Sequence, residues 1–298
     1  MSQAGPIVVI GSANMDLITR QPRLPEPGET MAGTGFATGA GGKGLNQAVA
    51  ARRAGAVVEF GGAVGDDGFG RELRGFLEAE GIGTAALRTS AEPTGIAQVS
   101  VLDDGENSIV VVAGANGEAA LAEADRAQIA RASAVVLQLE RPLGLVERAL
   151  AAGRDAGALT VLTPAPVVAG AARLLPLVDI LVPNASEALA LSGEQDGEAA
   201  ARRLSERAGT VIVTRGSRGA LIARGGEIVD VVPARTVDAV DTTGAGDTFV
   251  GVLIAWLACG AGLPEAVEAA TAGASLSVTR PGAAPAMPTR AEIEAVLG

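Results

Sequence analysis

Short runs of apolar, mostly β-branched residues recur along the chain, and stretches with a helical period separate most of them. Ile7-Val8-Val9-Ile10 ends at Gly11, the pattern of a strand buried on both faces. Val57 to Phe60, Ala134 to Leu139, Leu159 to Leu162, Ile180 to Val182 and Val211 to Thr214 repeat it. Between them, Asn46 to Arg53 (stopped by Gly55), Arg71 to Glu80, Leu143 to Ala156 and Glu198 to Ala208 read as helices. This alternation predicts an α/β fold with a mostly parallel central sheet and helices on both faces, as one domain over residues 1–298.

Two stretches break the alternation. Leu17 to Thr38 is rich in Pro, Gly and Thr and lacks a helical period, while Ile96 to Leu102 and Ser108 to Val112 read as strands around an Asp104-Gly105 turn. Together they predict a small antiparallel sheet apart from the main one, either a flap over a site or a plain surface hairpin. A second hairpin is expected from Ala220 to Ala223 and Ile228 to Val232, joined through Gly225-Gly226. Beyond Asp241 the chain reads as helical from Gly246 to Ala258, Pro264 to Thr279 and Arg290 to Leu297.

Composition narrows the chemistry. Among 298 residues, 48% are hydrophobic but only 2% aromatic, so Ala, Val, Leu and Ile must fill the interior. A formal net charge of -11 argues against general nucleic-acid binding, which needs clustered Lys and Arg. The single Cys259 cannot form an internal disulfide, which suits a reducing compartment. There is no signal-peptide pattern, and the longest apolar stretch, Phe249 to Leu263, is glycine-interrupted and short for a bilayer span, so a cytoplasmic protein is expected. With no His and no Tyr, general-base work falls to Asp, Glu or Lys, and a metal would be a hard ion with oxygen ligands, such as Mg2+ or K+.

The strongest local signal is Asp241-Thr242-Thr243-Gly244-Ala245-Gly246-Asp247-Thr248-Phe249, which opens an apolar helix. Small residues there leave backbone N–H groups free to face an anion, and the helix dipole adds positive potential. Asp247, in the first turn, reads as a catalytic carboxylate or as an ordinary cap. Ala40-Gly41-Gly42-Lys43-Gly44-Leu45-Asn46 is a second glycine-rich entry to a helix; it is not a Walker A loop, because Gly44 stands where Ser or Thr would follow the lysine. Lys43 and Asn46 can donate to a polyol, or the loop is only a tight turn. Asn14 and Asp16 after the first strand, and Glu140 after another, can bind vicinal hydroxyls or serve as turn residues. Asn184 and Glu187 offer oxygen ligands for Mg2+ or a helix cap, and Thr214-Arg215-Gly216-Ser217-Arg218-Gly219 offers close backbone approach for a nucleotide or a bare turn. Most of these motifs fall at the carboxyl ends of predicted parallel strands, where one cleft would gather them.

Taken together, these residues resemble the phosphofructokinase B family of sugar kinases, from Gly11-Ser12-Ala13-Asn14-Met15-Asp16 to Val278-Thr279-Arg280-Pro281-Gly282-Ala283, nearly the whole chain. The resemblance implies ATP-dependent phosphorylation of the primary 5-hydroxyl of D-ribose, giving ribose 5-phosphate and ADP, or of 2-deoxyribose, a nucleoside or another sugar. It implies that Asn14, Asp16, Gly42, Lys43, Asn46 and Glu140 bind the sugar and that Asp247 takes its proton. The amides of Gly244, Ala245 and Gly246 would stabilise the transferred group. Asn184, Thr214, Gly216, Ser217, Gly219 and Thr271 would meet ATP, Gly246 would face its phosphates, and Glu187 would help to place Mg2+. A K+ site is implied at Asp241, Thr243, Ser277, Arg280, Gly282 and Ala286, and a homodimer through lid segments at about 17–38 and 96–112. Thr163 stands where such pentose kinases usually carry Asn, and Ala286 where the family often has Ser. A non-catalytic sugar sensor and a nucleotide-dependent oxidoreductase fit less well: a sensor has no need of Asp247 with its anion loop, and no dinucleotide fingerprint follows the first strand.

Overall fold

The structure is a computed structural model and describes residues 5–104 and 106–298. The chain opens with β1 (Ile7–Ile10), β2 (Asn14–Gln21), β3 (Gly35–Gly41), α1 (Lys43–Arg53), β4 (Val58–Gly65), α2 (Gly68–Ala79), β5 (Gly83–Ser90), β6 (Gly95–Leu102) and β7 (Asn107–Val112). It continues through α3 (Glu123–Ile129), β8 (Ala134–Gln138), α4 (Leu143–Asp155), β9 (Leu159–Thr163), β10 (Ile180–Leu181), α5 (Ala185–Ser192), α6 (Gly197–Ser205) and β11 (Thr210–Thr214). Strands β12 (Ala220–Arg224) and β13 (Glu227–Val232) and helices α7 (Ala245–Ala258), α8 (Leu263–Ser277) and α9 (Arg290–Leu297) complete it.

Nine strands form the main sheet in the order β13-β12-β11-β10-β9-β8-β1-β4-β5. From β11 to β5 every pairing is parallel, while β12 pairs antiparallel with both β11 and β13. All four residues of β1 are buried. Its side chains alternate between two cores: Ile7 and Val9 join α1, α2, α7, α8 and α9, while Val8 and Ile10 join α3, α4, α5 and α6. Leu, Val, Ile and Ala carry both cores; Phe60, Phe249 and Trp256 are their only buried aromatics among the described residues.

A separate sheet of order β3-β2-β6-β7 stands apart from the main one, as the sequence predicts. Its outer pairs are antiparallel, and its central pair, β2 with β6, is parallel. Asn14 and Asp16 thus lie on β2, a strand, and not in the turn that their residue types suggest. Gly105 of the expected Asp104-Gly105 turn lies outside the described residues. Among the described residues no helix is long and apolar enough to cross a membrane.

Candidate active site

The strand order fixes where a site can form. From β1 the chain steps to β4 and β5 on one side, then returns to β8 on the other and runs outward to β11. Neighbouring strands β1 and β8 therefore send their following loops in opposite directions, which leaves a crevice at their carboxyl ends. The glycine-rich entry of α1 closes onto it. A Cβ at Gly44 would lie 2.6 Å from Gly11 Cα and from Ser12 N, so only glycine lets the helix start sit on the end of β1. Glu140, just past β8, accepts from Ser12 Oγ at 2.5 Å and from the Lys43 amide at 3.0 Å, joining three segments.

Across this crevice stands the start of α7. Gly244 is its N-cap, with φ 73° in the left-handed region, and a Cβ there would come within 3.0 Å of Ala283 Cβ. First-turn amides of a helix have no intrahelical acceptor, so those of Ala245, Gly246 and Asp247 are available to an anion, apart from a 3.3 Å contact from Ala245 N to Thr242 O.

Asp247 is buried, and each carboxylate oxygen is held by an amide of α1. Asn46 Nδ2 donates to Oδ2 at 3.2 Å and Gln47 Nε2 donates to Oδ1 at 3.0 Å. Burial pushes the Asp247 carboxyl above the usual carboxylate range, while Lys43 and the two amides pull it back. Asn46 Oδ1 is buried without a partner among the described residues, a free acceptor for a ligand hydroxyl beside the base. For Lys43 burial favours the neutral form, but the carboxylates of Asp247, Glu140 and Glu187 outweigh it and keep the ammonium charged.

Asp16 faces the same space. Burial, with the charge of Glu140 added, pushes its carboxyl up to about 7. Asn14 is buried and held by Asn116, whose Nδ2 donates to Asn14 Oδ1 at 2.8 Å and to the Ala13 carbonyl at 3.0 Å, while Asn116 Oδ1 accepts from the Ala13 amide at 3.1 Å. The structure thus gathers Asn14, Asp16, Lys43, Asn46, Glu140 and Asp247 in one crevice, with Gly42 at its rim as the N-cap of α1.

Beyond the start of α7 runs a cleft of about 430 Å3, lined by Thr214, Gly216, Ser217, Gly219, Gly246 and Thr271 among others. It reaches Gly246, next to Asp247 of the crevice, so a ligand lying along it would present one end to the free amides. Asn184 bridges to Thr214 in register but does not line the cleft. Asn184 and Glu187 form a capping box on α5, in which Asn184 Oδ1 accepts from the Glu187 amide at 2.9 Å and Glu187 Oε2 accepts from the Asn184 amide at 2.8 Å. Asn184 Oδ1 also accepts from Ser186 Oγ, so that oxygen is spent on the cap and the Nδ2 amide is the group that could donate to a ligand. Glu187 commits only one oxygen to it and, sharing the space with Lys43 and Asp247, fits a Mg2+ bound near the phosphates.

At the loop before α7, Asp241 Oδ1 accepts from Thr243 N at 2.9 Å and Thr243 Oγ1 at 2.6 Å, and Oδ2 accepts from Gly282 N at 2.8 Å. Burial pushes this carboxyl up, but those hydrogen bonds outweigh it and hold the group below its ordinary range, so it stays an anion. Asp241, Thr243 and Gly282 are thus brought together, with Ala286 buried nearby in the same loop. The Arg280 guanidinium, which has no acceptor, pairs with Glu292 at 2.6 Å, and Ser277 Oγ donates to the Ala274 carbonyl, so Arg280 could offer a cation only its backbone oxygen. One carboxylate with several carbonyls fits a large monovalent ion.

Sequence reasoning missed Ser12, Gln47 and Gln138, which hold the site together, because nothing in the local pattern shows that a polar residue, in the loop after β1 or on a helix or strand, is buried.

A doubly wound sheet whose switch-point crevice holds a buried carboxylate beside a helix-start anion hole defines a small-molecule kinase class. Residues 5–290 match the profile of the pfkB family of carbohydrate kinases, and the chain belongs to that family. It is 38% identical over 295 residues to a ribokinase of Haemophilus influenzae, covering 96% of each chain. A deoxyribokinase of Salmonella typhi is 36% identical over 298 residues, covering 95% of each. The solved structure of Arabidopsis thaliana ribokinase complexed with ribose and ATP superposes with a TM-score of 0.91 at 33% identity, covering 99% of both chains.

Proposed function

We propose that this carbohydrate kinase transfers the γ-phosphoryl group of ATP to the 5-hydroxyl of D-ribose. The observation that carries the reading is Asp247, a buried carboxylate on the first turn of α7, with hydroxyl-binding groups on one side and free helix-start amides on the other. Ribose lies in the crevice, its hydroxyls meeting Asn14, Asp16, Gly42, Lys43, Asn46 and Glu140. ATP lies along the cleft of Thr214, Gly216, Ser217, Gly219 and Thr271, its phosphates toward Gly246. The 5-oxygen attacks the γ-phosphorus, the bond to the β–γ bridging oxygen breaks, and ADP leaves with that electron pair. The hydroxyl proton passes to Asp247. Amides of Gly244, Ala245 and Gly246 and the Lys43 ammonium offset negative charge on the phosphoryl oxygens, the positioning and electrostatic work that dominates such transfers.

Glu187 would hold Mg2+, which would offset the negative charge of the phosphates during transfer. Asp241, Thr243 and the backbone oxygens of Ser277, Arg280, Gly282 and Ala286 would hold K+, which would stiffen the loop that carries the anion hole. The small sheet acts as a lid over the sugar, and its outer strand β7, with Ile109, Val110, Val111 and Val112 all exposed, suits pairing with a second copy of the chain.

A second reading, phosphorylation of 2-deoxyribose, is favoured by the likeness to the Salmonella typhi deoxyribokinase. ADP release measured against ribose, 2-deoxyribose, hexoses and nucleosides tests both. The proposal expects the highest kcat/KM with ribose; a preference for 2-deoxyribose would select the second reading, and turnover with neither pentose would overturn both.

A further inference from the structure

Three buried polar side chains are linked to Asp247 through hydrogen bonds, and none belongs to the groups proposed to meet a substrate. Gln47 on α1 and Gln138 at the end of β8 are fully buried, and Thr163 ends β9. Gln138 Nε2 donates to Gln47 Oε1 at 2.6 Å, and Gln47 Nε2 donates to Asp247 Oδ1 at 3.0 Å and to Thr163 Oγ1 at 3.3 Å. The sense of the Gln47 amide follows from chemistry: an ionised carboxylate only accepts, so Nε2 must face Asp247 and Oε1 must face the Gln138 donor. Two fully buried glutamines are costly in an aliphatic core, where Leu would fill the same volume with no polar group to satisfy. They form a chain from Gln138 through Gln47 that ends on Asp247 Oδ1, with Gln138 Oε1 left unpartnered among the described residues.

We infer that Gln47 is a positioning residue for the reaction, aiming the Asp247 carboxylate at the sugar hydroxyl, with Gln138 and Thr163 fixing the amide that does so. The inference rests on the reading of Asp247 as the base. Asn46 grips the other oxygen, Oδ2, but it also faces the sugar, so its loss would disturb binding and catalysis together. The side-chain partners of Gln47 are Asp247, Thr163 and Gln138, none of them among the sugar-binding groups except the base itself, so its loss should act on turnover. Thr163 takes the second N–H of Gln47, which explains how a hydroxyl serves at a position where Asn is expected. Gln47 also stabilises the ionised base, against burial, alongside Lys43; Glu140 and Glu187 act in the opposite direction. Removing Gln47 therefore favours the protonated base and moves the acid limb of kcat to higher pH.

The experiment compares Gln47→Leu, Gln47→Glu and Thr163→Val with Asp247→Asn, reading kcat, both KM values and the pH profile of kcat. Gln47→Leu is expected to lower kcat about tenfold to a hundredfold, the usual scale for a hydrogen bond to a charged group, with KM for sugar and ATP within about twofold. Its acid limb moves up by roughly one pH unit. Gln47→Glu, close to isosteric, sets a second carboxylate against the first and moves the limb further. Thr163→Val keeps shape and removes only the second anchor, so it shows a smaller change in the same direction. Wild-type kcat and an unmoved limb in Gln47→Leu, with Asp247→Asn inactive, overturn the positioning role alone. A drop in kcat that tracks lost thermal stability, with an unmoved limb in both Gln47→Leu and Gln47→Glu, overturns it too. Near-wild-type turnover in Asp247→Asn overturns the base itself, and this inference with it.

Discussion

Asn116 Nδ2 donates to Asn14 Oδ1 at 2.8 Å, joining residues 102 positions apart in the sequence. The same side chain also makes a pair of bonds with the backbone of Ala13, so it sets the first residues of β2 against the crevice. Asn116→Leu keeps the volume but leaves Asn14 Oδ1 and the Ala13 groups unsatisfied, a loss of about 1–3 kcal/mol for each buried group left unpaired. The expected result is ribose affinity weakened about tenfold or more by calorimetry, with ATP affinity unchanged. Unchanged ribose affinity would show that Asn14 needs no such support.

Asp16 has a carboxyl that titrates near neutrality, because burial and the charge of Glu140 push it up to about 7. Below that pH it is protonated and a poorer acceptor; above it, it is ionised and accepts hydrogen bonds from sugar hydroxyls. Ribose binding therefore tightens as pH rises from 6 to 8, by up to about tenfold, and then levels. Asp16→Asn should bind weakly and show a flatter profile over the same range. An equally steep profile in that variant would assign the titration to another group.

Asp241 tests the cation proposal. Initial rates in K+ should exceed those in a bulky organic cation at equal ionic strength, with Mg2+ and both substrates saturating. In Asp241→Ala the two salts should give the same low rate. Equal wild-type rates would remove activation from the account, and activation that survives in Asp241→Ala would put the ion elsewhere.

Arg20 at the end of β2 and the exposed Arg23 beyond it are trypsin sites in the lid segment. If the small sheet closes over ribose, saturating ribose should slow cleavage there several-fold, because lid closure orders the segment. Identical cleavage with and without ribose would leave the lid without a closing motion.

What the sequence reveals, and what it hides, follows from the range of the interactions concerned. The glycine loops at 41–46 and 244–247 are readable because a helix start needs backbone freedom at fixed positions, and β1 is readable because four apolar residues in a row leave no polar face. Strand β5 carries no comparable signal: Ala86 and Leu87 are adjacent and both buried, which breaks the alternation that marks a strand. Asn14 and Asp16 read as turn residues until β3 and β6 supply their pairing partners. Gln47, Gln138 and Thr163 come from three separate elements, and only the packing of α1 on β8 and β9 shows that they meet. Asn184 shows the opposite limit, because its local capping chemistry was as legible as its proposed part in ATP binding, and the cap is what its geometry displays.

The central claim is transfer of a phosphoryl group from ATP to ribose, with Asp247 taking the proton. The most direct measurement follows ribose 5-phosphate and ADP by 31P NMR for wild type and Asp247→Asn, with ribose binding measured in parallel. The account predicts equal amounts of the two products from wild type. It also predicts near-wild-type ribose affinity in the variant, with turnover lower by about 10²–10⁴-fold, the scale of a lost general base. Turnover of the variant within a few-fold of wild type, or ADP formed by wild type without ribose 5-phosphate, would contradict it.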